Sequence, residues 1–153
     1  MRQVKSGRLS GKRIALLIVT GLMLAFIFGQ SLLPQSVSAD ESGWLTDKVL
    51  NPLLNLLGFG SVTNHTVRKI AHVTEFTILS ALLMLCFHGQ IMKSAGIGFT
   101  AVFLDESIQL LSGRGASIAD VWIDLIGVAL GTLLGCLILR IIHRNKRESF
   151  QQD

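Results

Sequence analysis

Five of the ten acidic residues, Glu75, Asp105, Glu106, Asp120 and Asp124, stand within or at the edge of apolar stretches. A carboxylate turned toward lipid costs several kcal/mol, so such residues face a bundle interior, pair with one another and mark a site. Their spacing gathers them on shared helix faces. Arg68, His72, Glu75 and Leu79 follow i, i+4, i+7 and i+11. Asp105 and Gln109 are i, i+4, and Glu106 and Gln109 are i, i+3. Asp120, Asp124, Gly127, Gly131 and Gly135 run down one side of a helix.

Several chemistries remain open for such a cluster. His72-x-x-Glu75 on one turn, facing Asp105, Glu106 and Asp124, supplies enough ligands for a divalent cation, with the metal or any cofactor left unknown. Crowded carboxylates also suit general acid or base work, with Glu75 and Asp105 as the pair, His72 orienting one of them and Glu106 beside them. Arg68, Lys69 and Arg114 at the mouth could hold an anionic headgroup or a lipid-tethered glycan, with Gln109, Asp120 and Asp124 as further binding residues. The bland reading is a polar core that only fixes helix register, with Arg68 or Arg114 pairing with the acids. Whether the chain is an enzyme stays open. A through-membrane relay is disfavoured because the acids gather on one side.

The elements that must position these residues are apolar helices. The chain has 153 residues, half of them hydrophobic and 16% charged. A soluble domain carries about a quarter charged residues. Composition excludes a soluble enzyme, a disordered chain and a disulfide scaffold. Cys86 and Cys136 sit in apolar stretches without metal-ligand spacing and read as packed thiols. Four stretches read as spans: Ile14 to Leu33, about Ile70 to Phe87, about Ser94 to Leu111, and about Ala119 to Leu139. The second and third are weakened by their ionisable residues, so two clean spans with buried or re-entrant helices is the competing count.

Orientation follows from Lys and Arg. Arg2, Lys5, Arg8, Lys12, Arg13, Lys93, Arg140, Arg144, Lys146 and Arg147 are ten of the fourteen basic residues and fall on one side of a four-span layout. Both termini are therefore expected in the cytoplasm, with 34–69 and 112–118 outside. The basic ends are explained by topology, not by nucleic acid, which is not expected as a partner. Val37-Ser38-Ala39 resembles a signal cleavage site, but the apolar run before it is longer than a usual signal core, so a retained span is expected. Asn51-Pro52 reads as an N-cap and first helical position, and Gly58 as a stop, giving a short interfacial helix with Trp44 at headgroup level.

Depth brings the faces together. At ~1.5 Å per residue, Glu75 lies about 10 Å below the entry of span two near Arg68. Asp105 lies at about the same depth, Asp124 is slightly shallower, and Gln30 reaches the layer from span one. The glycine series is a packing stripe, read as contact within the bundle, with homo-oligomerisation as the alternative. The expected architecture is an all-α integral membrane protein, a bundle of four transmembrane helices with a short interfacial helix. It divides into a basic cytoplasmic N-terminus (1–13), one transmembrane domain (14–142) and a polar cytoplasmic tail (143–153).

Three blocks in order carry a family resemblance. They are Phe26-Ile27-Phe28-Gly29-Gln30-Ser31, then Arg68-Lys69-Ile70-Ala71-His72-Val73-Thr74-Glu75-Phe76, and last Asp105-Glu106-Ser107-Ile108-Gln109 leading through Arg114 to Asp120-Val121 and on to Asp124-Leu125-Ile126-Gly127. With these the chain resembles the VanZ-like family of bacterial membrane proteins. It departs in Asp124, where relatives often carry Asn, and in Phe76, where they often carry Tyr. The resemblance implies a bacterial cytoplasmic membrane location. Its implied residues are Arg68, His72, Glu75, Asp105, Glu106, Gln109, Arg114 and Asp120. The family's namesake is associated with teicoplanin resistance, so an envelope lipid, glycan or lipoglycopeptide is the implied ligand beside the membrane lipids themselves.

Overall fold

The computed structural model describes residues 11–58, 60–113 and 117–149. Among them every regular element is helical: α1 Gly11–Leu32, α2 Gln35–Leu45, a π-helical turn Thr46–Leu50, α3 Asn51–Leu56, α4 Asn64–Cys86, α5 Ile91–Leu111 and α6 Ile118–Ser149. Three helices are long and apolar enough to cross a membrane: α1, α4 and the Ile118–Asn145 part of α6. The third expected span, α5, is 21 residues long but falls outside that set. Lys93, Asp105, Glu106 and Gln109 are what dilute its apolar character.

All of α1, α4, α5 and α6 nevertheless feed one core. Ile27, Phe76, Leu79, Leu83, Ala101, Val102 and Val128 are buried against one another. Large apolar side chains elsewhere on these helices, such as Leu22, Phe26, Leu110 and Leu133, point outward. An inward core with an equally apolar exterior is what a lipid-bathed bundle requires.

The tightest packing joins α4 to α6. A Cβ added at Gly127 would lie 2.6 Å from the Val73 carbonyl oxygen, and one at Gly135 2.5 Å from Met84 Cβ. At Gly131 it would collide with the Thr77 carbonyl oxygen. The stripe is thus spent within the chain, and it presses α6 against α4 backbone to backbone. Thr77 Oγ1 donates across the seam to the Gly127 carbonyl at 3.2 Å.

Several boundaries differ from the expectation. α4 begins at Asn64, well before Ile70, because Thr63 Oγ1 caps it by accepting from the Thr66 N–H at 3.2 Å. The short helix α3 starts at Asn51, but Asn51 is its first helical residue and not its N-cap, because the chain before it is already helical. Helix begins at Gln35 and runs nearly unbroken to Leu56, and the Leu50 and Asn51 backbones are already helical. Pro52 lacks an N–H and its ring crowds the carbonyl four residues back, so the helix widens into the π-turn ahead of it. Asn51 is freed from capping and accepts from the Val62 N–H at 2.8 Å. Gly58, at φ 79°, ends the segment as expected. At the other end α6 continues past Ile142 to Ser149. Residues 1–10 of the basic N-terminus and 150–153 of the tail lie outside the described residues.

Candidate functional site

The polar residues converge where α1 and α5 end and α4 and α6 begin. α4 presents Arg68, Lys69, His72 and Glu75 from its first turns, and α6 presents Asp120 and Asp124 from its own. α5 contributes Asp105, Glu106 and Gln109 near its C-terminal end, and α1 contributes Ser31. Counted from these helix ends at ~1.5 Å per residue, His72, Asp105 and Asp124 lie about 9–12 Å inside the bundle.

Asp105 is fully buried, and both of its oxygens accept hydrogen bonds. Ser31 Oγ donates to Oδ1 at 2.5 Å and Gln109 Nε2 to Oδ2 at 2.8 Å. Ser112 Oγ lies 2.9 Å from the Ser31 carbonyl and 2.9 Å from the Gln109 carbonyl, tying the ends of α1 and α5 together. Asp124 is 2% exposed. His72 stands between the acids, its Nδ1 3.9 Å from Glu75 Oε2 and 4.0 Å from Asp124 Oδ1. The mouth is held by an ion pair, Lys69 Nζ to Asp120 Oδ1 at 3.3 Å. Among the described residues no carboxylate lies within 4.0 Å of the half-buried Arg68.

A small polar cleft of about 50 Å³ opens between α4, α5 and α6. It is lined by His65, Arg68, Lys69, His72, Glu106, Gln109, Asp120, Ile123 and Asp124. Two larger grooves of about 450 and 470 Å³ flank α5, but their walls are apolar apart from Lys93, Thr100 and Thr132. They suit lipid chains. The chemistry belongs to the small cleft.

Of the residues singled out in the sequence, Arg68, His72, Glu106, Gln109, Asp120 and Asp124 line this cleft. Asp105 and Glu75 sit beside it, each through His72. One oxygen of Asp105, one of Asp124 and a ring nitrogen of His72 lie within 4.8 Å of one another. Arg114 lies outside the described residues. Two participants escaped the sequence reading. His65 shares a face with Arg68, Lys69 and His72 at i, i+3, i+4 and i+7, a signal hidden by starting that span at Ile70. Ser31 sits one residue beyond Gln30, which was expected to reach this layer.

The family model for VanZ/LLP1 matches residues 14–140, which takes in every described residue of the cleft. The uncharacterized membrane protein YwnJ of Bacillus subtilis (strain 168) is 33% identical over 86 residues, 56% of this chain. The match covers 58% of that protein's length. No solved structure matches the chain.

Proposed function

The chain belongs to the VanZ/LLP1 family of membrane proteins, and on that premise we propose that its polar cleft binds, or acts on, the polar headgroup of a cell-envelope lipid, glycan or lipoglycopeptide. One observation carries the reading. A cleft of about 50 Å³, the size of one small polar group, brings half-buried Arg68 and the Lys69 ammonium to the same opening as His72, Glu106 and Asp124. Arg and Lys suit the anionic part of a headgroup, Arg by forked donors and Lys as a point charge. The buried acids and His72 suit its hydroxyl or amide groups, or proton transfer to them. The apolar grooves beside α5 leave room for acyl chains.

In this reading α5 also crosses the membrane, giving four crossings. Its polar residues are tolerated because Asp105, Glu106 and Gln109 all turn inward. The termini lie in the cytoplasm, the cleft opens toward the outer leaflet, and the α2–α3 segment lies in the outer interface with Trp44, which is exposed. Cysteines placed at Asp40 and Ser117 are then expected to react with an impermeant thiol reagent in intact cells. Silence at both reverses the orientation.

A structural role has one observation in its favour: both oxygens of Asp105 are already satisfied by Ser31 and Gln109. The decisive experiment compares cells expressing wild type, Arg68→Gln or Glu75→Gln at matched membrane abundance, challenged with teicoplanin and vancomycin. Protection by wild type that both changes abolish supports headgroup recognition by the cleft. Protection that survives both assigns the cluster to register alone.

A further inference from the structure

We propose that His72, Asp105 and Asp124 hold a divalent cation, of the kind that accepts mixed nitrogen and oxygen ligands such as Zn²⁺ or Mn²⁺. The argument starts from charge. Asp105 is fully buried and Asp124 is 2% exposed, on neighbouring helices. Among the described residues neither has a Lys or Arg nitrogen within 4.0 Å, and Lys69 is engaged with Asp120. Two carboxylates withdrawn from water at this depth are held ionised together only by a compensating positive charge.

The donor set comes next. One imidazole nitrogen and two carboxylate oxygens from three different helices lie within 4.8 Å of one another. Three protein ligands with a position left for water or substrate is the pattern of reactive rather than purely structural divalent sites. Mixed imidazole and carboxylate donors suit Zn²⁺ or Mn²⁺ better than thiolate-seeking ions. All three donors stand on helices and none on a loop.

Two independent observations separate this group from a chance acidic cluster. Asp124 lines the cleft, yet among the described residues it accepts no hydrogen bond, and its nearest partner is His72 Nδ1 at 4.0 Å. Asp105 is held from behind by Ser31 and Gln109, the outer support that fixes a ligating carboxylate's orientation. The adjoining cleft, lined by His72 and Asp124 and about 50 Å³ in volume, has room for a water or two beside such an ion.

The site does not depend on the headgroup reading, because it is tested with metal alone. Purified full-length chain in detergent, with no lipid added, is titrated calorimetrically with Zn²⁺ and, separately, with Mn²⁺. One ion per chain is expected for at least one of them, with a rise in thermal unfolding temperature on binding. His72→Gln, Asp105→Asn and Asp124→Asn should each weaken binding by about tenfold or more and remove that thermal shift. Glu148→Gln, an exposed carboxylate at the far end of α6, should leave both intact. Should Asp124→Asn fail to give a single gel-filtration peak, His72→Gln on α4 carries the same comparison. The proposal is overturned if wild type binds neither ion stoichiometrically. It is equally overturned if His72→Gln and Asp124→Asn keep wild-type affinity, or if Glu148→Gln loses as much as they do.

Discussion

The seam between α4 and α6 is built in two halves that obey opposite rules. From Gly127 to Gly135 it is dry and close, glycine against the backbone of Val73 and Thr77 and the side chain of Met84. From Asp120 to Asp124 the same two helices meet through polar side chains, Lys69 and His72 facing Asp120 and Asp124, and a cleft opens there with α5. A continuous glycine stripe would have closed the seam. A continuous polar face would have had little packing to oppose its desolvation. The close half anchors the helices so that the open half keeps its geometry. Damage to the first should therefore appear as lost protein, and damage to the second as lost activity in folded protein.

The largest expected effect breaks the close half. Gly131→Leu places a side chain where the Thr77 carbonyl oxygen stands, and backbone cannot step aside as a side chain can. Overpacking commonly costs about 1–3 kcal/mol where neighbours yield, and here the cost should exceed that range. The measured outcome is loss of membrane abundance and of a single gel-filtration peak. Gly29→Leu on α1 is the control, since no atom stands within 4 Å of an added Cβ there. Equal loss from both would refute the division.

Next comes Ser31→Ala, which takes a donor from buried Asp105 and ties the polar half to stability. A hydrogen bond to a charged group is worth about 1.5–3 kcal/mol, read as a lower thermal unfolding temperature in detergent. Thr77→Val removes one bond across the seam and should cost about 0.6 kcal/mol, the average for such bonds between membrane helices. The smallest stability effect is expected at the mouth. Lys69 and Asp120 are 34% and 37% exposed, so Lys69→Gln should change stability by no more than about 1 kcal/mol. If the open half is functional, that same change reduces headgroup binding in folded protein. A large unfolding shift with unchanged binding would reverse the two roles.

The two halves were not equally readable from the residues. The close half was legible because glycines at every fourth position mark close approach, and part of the open half was legible because a carboxylate in an apolar run must turn inward. His72, Asp105 and Asp124 were placed together on that ground. What stayed hidden depended on small polar groups whose signal is not periodic. Ser31 is one hydroxyl in an apolar run, and its partner lies 74 residues away. The first two turns of α4 are polar, so Asn64 and His65 read as loop until Thr63 is seen to cap them. Asn51-Pro52 has the composition of a helix start, but a π-turn lets helix pass through it.

The contact between Ser31 and Asp105 also bears on the order in which the chain is made. With α5 crossing as proposed, it is the least able of the long helices to enter the bilayer alone. Its carboxylate, however, is met by a hydroxyl synthesised 74 residues earlier. At about 5–20 residues per second, α1 waits some 4–15 s beside the translocon before α5 arrives. During that interval α4 is added, bringing His72 and the rest of its polar face. The third crossing therefore enters against a template already in the membrane, with α6 still to be completed.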